Sequence, residues 1–363
     1  MFSPDKPYND LPPIPDVGTL ETNRTLKQAI SANRILAELK AGGNLIPNQV
    51  VLLRSILLQE ALASSEIENV VTTNDALYKA FDNKDESSDP NTREVLRYGD
   101  ALWAGFNDLQ QGGAIRPSLL VSLAKKIKGS PIDIRSTVGC QITNDTTREV
   151  IYTPPVGRDL ILNKMNGLCE FLADPNGADP LIKMVVAHRQ FEAIHPFPDG
   201  NGRTGRVLNI LYLIQAGLLE RPVLYLSWYI VRNKAEYYQR LRAVTENDDW
   251  ENWIIYMLQA VETTAAMTRD MLLRVREFMD NSALIAKSDM RKGYSRELVD
   301  LVFSQPYTRI SLVAEHLGIG RNAASEYLRE LERLDLLQGL KIGRERLYYN
   351  FHLAAALEIQ EEK

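Results

Sequence analysis

One imidazole, one carboxylate, three glycines and two guanidinium groups fall within a single short stretch, His195-Pro196-Phe197-Pro198-Asp199-Gly200-Asn201-Gly202-Arg203-Thr204-Gly205-Arg206. Together they suit the phosphate chain of a nucleotide. Gly200 and Gly202 lack the side chains that would hold phosphate oxygens away from backbone N–H groups. Arg203 and Arg206 bring permanently charged forks that match phosphate geometry. Asp199 is a hard oxygen ligand suited to one position of a hydrated Mg²⁺ between phosphates. His195 is the group whose ordinary pKa lies near neutrality, so it can take a proton from an attacking hydroxyl. Phe197 reads as the apolar anchor of the turn. The bland alternative is a glycine-rich connection with scattered surface charge.

Two apolar helices must hold this turn. Pro180–Ile194 carries Leu181, Met184, Val185, His188 and Ile194, and Val207, Leu208, Ile210, Leu211 and Ile214 repeat at helical spacing on the far side. Gly200–Gly202 then leads into the N-terminus of the second helix, where unpaired N–H groups and the helix dipole favour an anion.

The stretch resembles the motif of the Fic family, H-x-F-x-[D/E]-G-N-G-R-x-x-R, with every specified position matched. The resemblance implies transfer of AMP from ATP to a protein hydroxyl on Tyr, Thr or Ser. ATP would be held by Asp199, Gly200, Asn201, Gly202, Arg203, Thr204, Gly205 and Arg206, with Mg²⁺ on Asp199 and Asn201 orienting the α-phosphate. Phosphate-transferring relatives place lysine where this chain has Gly202, which favours AMP transfer here. Upstream, Ser64-Ser65-Glu66-Ile67-Glu68-Asn69 is similar to the inhibitory motif of one Fic class, [S/T]-x-x-x-E-[G/N]. Ser64 and Glu68 share a helix face. A carboxylate from Glu68 on Arg206 would remove the γ-phosphate's partner and add like charge beside it. Without the resemblance, Glu66 and Glu68 read as a solvated acidic helix end. The family also implies a β-hairpin flap before Pro154-Pro155, with Glu149, Val150, Ile151 and Tyr152 docking an extended target segment by strand addition. A purely structural hairpin fits the same residues. Tyr237 and Tyr238 would wall the nucleoside pocket or pack as ordinary helix aromatics. His188 reads as a core residue. Homodimers are also implied. Two other readings share the chain: removal of AMP from a modified protein, with Glu68 orienting a water, and a DNA-binding regulator.

The 363 residues suit two or three domains, and 45% hydrophobic with 25% charged residues is ordinary for a globular protein. A net charge of −5 gives no bulk attraction to nucleic acid or anionic membrane. With no secretory leader visible in Met1–Asp10, no membrane-length apolar run, and only Cys140 and Cys169, a reduced cytoplasmic protein is expected.

In order, proline-rich Phe2–Pro15 should run extended over the surface. Helices follow over Thr22–Ala41, stopped by Gly42-Gly43, and Asn48–Leu62, with a turn at Asn44–Pro47. Lys84–Thr92 is a polar boundary. Helices Arg93–Leu109 and Pro117–Lys128 precede the hairpin Ser136–Pro155, which turns at Asn144-Asp145. Helices Asp159–Leu172, Asn233–Val244 and Trp250–Arg276 complete the core. Arg296–Phe303, Arg309–His316, Arg321–Leu334 and a hairpin Leu336–Tyr349 with Gly343 at its tip resemble a winged helix. On DNA, helix Arg321–Arg333 would enter the major groove, with Lys341, Arg344 and Arg346 on phosphate. Glu326, Glu330, Glu332 and Asp335 weaken that electrostatic term, and winged helices also dock proteins. The expected architecture is mainly α: an N-terminal helical region (1–92) packed on a Fic-type helical core with a hairpin flap (93–280), then a winged helix (290–352).

Overall fold

Asp89-Pro90 and Asp179-Pro180 each open a helix in the same way. The aspartate accepts hydrogen bonds from the first backbone N–H groups, and proline occupies a position that needs no donor. The computed structural model describes residues 2–43, 49–82, 89–136, 139–143, 147–175, 177–342 and 345–357, with backbone alone at 43, 49–54, 81–82, 342 and 345. The expected turns at Asn44–Pro47 and Asn144-Asp145, most of the 84–92 loop, Val138, Gly343 and Arg344 lie outside the described residues.

In chain order the helices are α1 (Asn23–Gly43), α2 (Gln49–Ile67), α3 (Asn74–Asp82), α4 (Pro90–Gln110) and α5 (Pro117–Lys128). Strands β1 (Ile142–Thr143) and β2 (Val150–Tyr152) follow, then α6 (Arg158–Ala173), α7 (Pro180–Ile194), α8 (Asn201–Gln215), α9 (Leu226–Arg232), α10 (Lys234–Asn247) and α11 (Trp250–Asp289). The C-terminal part holds α12 (Arg296–Val302), β3 (Tyr307–Arg309), α13 (Ile310–His316), α14 (Arg321–Arg333), β4 (Gln338–Ile342), β5 (Glu345–Tyr349) and α15 (Phe351–Leu357).

Helices α7 and α8 form the central hairpin. Nearly every side chain of both is buried, because α2, α4, α5, α6 and α11 pack around them. This explains why neither sequence shows a clean polar stripe: a helix covered on all faces is apolar all round. Helix α1 lies along α11, tied by Thr22 and Arg24 to Glu251 and by Gln28 and Ser31 to Glu262. Helix α11 continues unbroken to Asp289, past the expected stop at Arg276, and buries Met279, Ala283 and Ala286. The hairpin is shorter than expected, pairing Ile142 with Tyr152 and Thr143 with Val150 across an irregularity in register.

The proline-rich segment does more than cross the surface. Leu11 is buried, Tyr8 N–H donates to the Thr153 carbonyl (2.9 Å), and the Thr153 hydroxyl donates to Pro4 O (2.6 Å). Phe2 stacks on Tyr152. At the other end, an antiparallel sheet of order β3-β5-β4 joins α12, α13 and α14. This unit sits on the N-terminal helices: Ser55 Oγ donates to Ser304 O (3.3 Å), and the Tyr307 hydroxyl to Asp75 Oδ1 (2.5 Å).

Candidate active site

His195 ends α7 in the left-handed region (φ 47°, ψ 60°), a conformation rare for residues with a side chain. Arg135 holds it there. Its Nε donates to His195 O (2.7 Å), its Nη2 to Ile194 O (3.2 Å), and its backbone N–H to Pro196 O (3.0 Å). Asn201 closes the same turn by accepting from Phe197 N–H (2.8 Å) and donating to Phe197 O (2.7 Å). Its amide, expected to orient a phosphate, is therefore engaged at both ends within the turn. Phe197 is fully buried against Phe191, as its anchoring role requires. Burial, helped by the nearby Arg135 charge, pulls the His195 pKa down to about 4, against the opposing pull of the Glu192 carbonyl, Glu68 and Asp199. The ring is neutral at physiological pH. Its Nδ1 is buried, which leaves Nε2 as the nitrogen able to meet a substrate proton.

Gly200, left-handed at φ 81°, is the residue just before helix α8. A Cβ on Gly202 would collide with Oε1 of Glu68, so a carboxylate already lies over the helix N-terminus where an anion is favoured. Glu68 Oε1 accepts from Arg206 Nη2 (2.9 Å). Ser64, one turn earlier on α2, accepts from Arg206 Nε through its hydroxyl and from Nη2 through its carbonyl, both at 2.8 Å. Burial would raise the Glu68 carboxyl, but the Arg206 charge and hydrogen bond outweigh it and hold its pKa below the usual value. The structure thus brings Ser64, Glu68 and Arg206 together.

Arg203, almost fully buried, donates to Glu94 Oε1 (2.5 Å), and Lys128 bridges Glu94 (3.1 Å) to Asp199 Oδ2 (2.7 Å). Asp199 is mostly exposed, with its other oxygen 3.9 Å from Arg203. No group of three or more metal-binding side chains occurs among the described residues. Thr204 bonds back to Gly200 O (2.8 Å), and Gly205 packs against Phe191 and Glu192.

A cavity of about 660 Å³ opens from this corner, within the size range of small-molecule sites. His195, Gly202, Arg206 and Glu68 line it, together with Tyr237, Tyr238, Leu241 and Thr245 of α10. Tyr237 is buried with its hydroxyl on His188 Nε2 (2.8 Å), and Tyr238 is half exposed. His188 is a buried core residue stacked on Trp253, its pKa taken down to about 3 by burial and by Arg206. The flap supplies Ile151 and Tyr152 to the cavity wall. Tyr152, expected to dock a target, instead points inward, and its hydroxyl donates to Ala193 O (2.8 Å). Val150 and Ile151 are partly exposed and Glu149 is exposed.

The sequence reading did not single out Arg135, Glu94, Lys128 or Glu192, all of which touch or line the site. The arrangement offers a neutral base, a helix N-terminus flanked by two buried guanidinium groups, and an adjoining aromatic-walled cavity. Those are parts for displacement at a phosphorus centre.

Residues 119–213 match the Fic/DOC family, residues 26–107 the Fic/DOC family N-terminal region, and residues 278–353 the C-terminal domain of SoFic-like protein adenylyltransferases. A probable protein adenylyltransferase of Aquifex aeolicus is 34% identical over 95 residues, 26% of this chain and 27% of that protein. The protein adenylyltransferase fic-1 of Caenorhabditis elegans is 31% identical over 96 residues, 26% of this chain and 18% of that protein. The matches thus span about a quarter or less of those relatives. Among solved structures, a Fic family protein from Desulfovibrio desulfuricans superposes with a TM-score of 0.58 at 19% identity, covering 93% of this chain and 98% of that one. A Fic domain containing signaling protein from Bacteroides thetaiotaomicron gives 0.53 at 16% identity, covering 67% and 96%. These likenesses establish the fold.

Proposed function

We propose that this chain, which carries Fic/DOC family domains, transfers AMP from ATP to a Tyr, Thr or Ser hydroxyl of a target protein, with His195 as general base. The observation that carries this reading is that a neutral imidazole, the α8 N-terminus and Arg206 line one cavity. ATP would lay its phosphates along Gly200–Arg203, with the β- and γ-phosphates facing Arg203 and Arg206. The α-phosphorus then lies beside His195. His195 Nε2 takes the hydroxyl proton as the oxygen attacks phosphorus in line, and pyrophosphate leaves. Positioning and charge neutralisation lower the barrier. Asp199 suits Mg²⁺: it is an exposed carboxylate with Oδ1 still 3.9 Å from Arg203, and this ion is commonly bound through one or two carboxylates plus phosphates and water. A bound Mg²⁺ would offset phosphate charge.

Glu68 on Arg206 and over Gly202 describes an autoinhibited state, because productive γ-phosphate binding needs the same space and the same guanidinium. The free outer edge of the flap at Val150 and Ile151 suits an extended target segment. We divide the chain into the regulatory helices, the catalytic core and a C-terminal winged helix. In that last unit Arg346 pairs with Glu332, Arg333 with Glu330 and Lys292 with Glu326, which favours protein docking or dimerisation over DNA. No helix among the described residues is long and apolar enough to cross a membrane.

Purified wild type and His195→Ala incubated with ATP labelled at the α- or the γ-phosphate test the reaction. Label should enter protein from the α position only, and the substitution should slow it by about two to four orders of magnitude. Equal rates for the two proteins, or label from the γ position, refute it.

A further inference from the structure

Glu192 carries one carboxylate oxygen, Oε1, that no group among the described residues satisfies. It lies three residues before His195 in the last turn of α7 and lines the same cavity. Its Oε1 is buried without a hydrogen-bond partner among the described residues. The other carboxylate lining the cavity, Glu68, is paired with Arg206. Gly205 on α8 makes the room, since a Cβ there would lie 2.6 Å from Glu192 Oε1. Burial raises the Glu192 pKa to about 7, more than the nearby Arg206 charge can offset. A buried acceptor without a donor is costly to keep, and Glu192 lines the cavity, so a turn of its side chain that brings the carboxylate onto a ligand's donor is favourable.

The run of α7 along the cavity indicates which donor. Arg189, Glu192 and His195 all line it, at intervals of about 4.5 Å of helix axis. His195 marks the α-phosphorus, and Tyr237, Leu241 and Thr245 form a wall suited to a flat base. The sugar joining base to α-phosphate must pass between them, beside Glu192.

We propose that Glu192 accepts hydrogen bonds from the ribose hydroxyls of the bound nucleotide and so selects ribonucleotides over deoxyribonucleotides. Its carboxylate oxygens are acceptors, and a vicinal diol presents two donors at matching spacing. The inference rests on the AMP-transfer reading of the same site.

The test uses the full chain carrying Glu68→Gly, with ATP, 2′-deoxy-ATP and 3′-deoxy-ATP compared by equilibrium titration and by initial rate of AMP transfer. With Glu192 intact, at pH 8 where its carboxyl is mostly ionised, loss of a hydroxyl should weaken binding by roughly ten- to hundredfold, as expected for a hydrogen bond to a charged acceptor. In Glu192→Ala the ratio between ATP and its deoxy analogues should fall close to one. In Glu192→Gln, which keeps the shape and one neutral acceptor, it should be intermediate, so the test survives poor folding of the alanine variant. Unchanged discrimination in either folded variant overturns the role of Glu192 while leaving AMP transfer standing. Failure of the Glu192-intact protein to bind or use ATP overturns both readings.

Discussion

Replacing Glu68 by glycine should raise AMP transfer by about ten- to thirtyfold. Two features of the closed state set that figure. The Glu68–Arg206 contact is a 2.9 Å charge-assisted hydrogen bond, and the Glu68 carboxylate blocks the approach to Gly202 at the α8 N-terminus. Bonds of this type contribute about 1.5–3 kcal/mol. Glu68 is one-third exposed, so solvent screens part of it and the lower end applies, about 1.5–2 kcal/mol. At 1.4 kcal/mol per factor of ten, release of that contact gives the stated acceleration. Arg206 stays anchored by the Ser64 hydroxyl and carbonyl, so it remains in place to receive the γ-phosphate. The assay is the initial rate of label transfer from ATP labelled at the α-phosphate, at saturating ATP, for wild type and Glu68→Gly side by side. If both proteins bind ATP equally well and transfer AMP at the same rate, the inhibitory role of Glu68 is wrong.

Other consequences are equally direct. Because burial takes His195 down to about pH 4 in the free protein, kcat/KM of Glu68→Gly carrying Glu192→Gln, which removes the other cavity-lining group titrating in this range, should stay level from pH 8 to about 5 and fall below that; an acid limb centred near the ordinary histidine value contradicts the buried-base account. Glu60 is buried on Ser227 and Tyr98, and burial raises its pKa from 4.5 to about 7. Its contribution to stability is fully present below pH 4.5 and is lost as pH rises through 7, so Glu60→Gln should gain on wild type by up to about 3 kcal/mol between those limits. Urea unfolding across that range checks this, and parallel stability curves would count against it. Arg135→Ala removes two donors from the His195 turn, which should cost about 1–3 kcal/mol of stability and reduce kcat about tenfold or more with little change in the KM for ATP. Wild-type kcat in a folded Arg135→Ala protein would show that the clamp is dispensable.

The catalytic turn was legible because its chemistry is local. His195, Gly200, Gly202, Arg203 and Arg206 lie within a few residues of one another, and the apolar runs on either side announce the two helices that present them. Arg135, Glu94 and Lys128 were not legible, because they reach the turn from other helices and loops. Residue type alone did not distinguish them from surface charges. For Asn201, residue type showed an amide able to meet phosphate but not that the turn itself engages its oxygen and one of its N–H groups. The alternating residues of the flap likewise gave no sign that the Tyr152 hydroxyl would be buried on the carbonyl of Ala193. The prolines of the first segment correctly denied it a helix and gave no sign that Leu11 and Phe2 would pack. Glu192 reads as one more charge on a helix until the three-dimensional structure leaves its Oε1 without a partner among the described residues.

The most direct test is mass spectrometry of lysate proteins and of the chain itself after incubation with ATP and Mg²⁺, using Glu68→Gly with and without His195→Ala. The account predicts a gain of one AMP on Tyr, Thr or Ser with Glu68→Gly, lost when His195 is also replaced. A gain of phosphate instead, no gain at all, or AMP transfer that persists without His195 would contradict it.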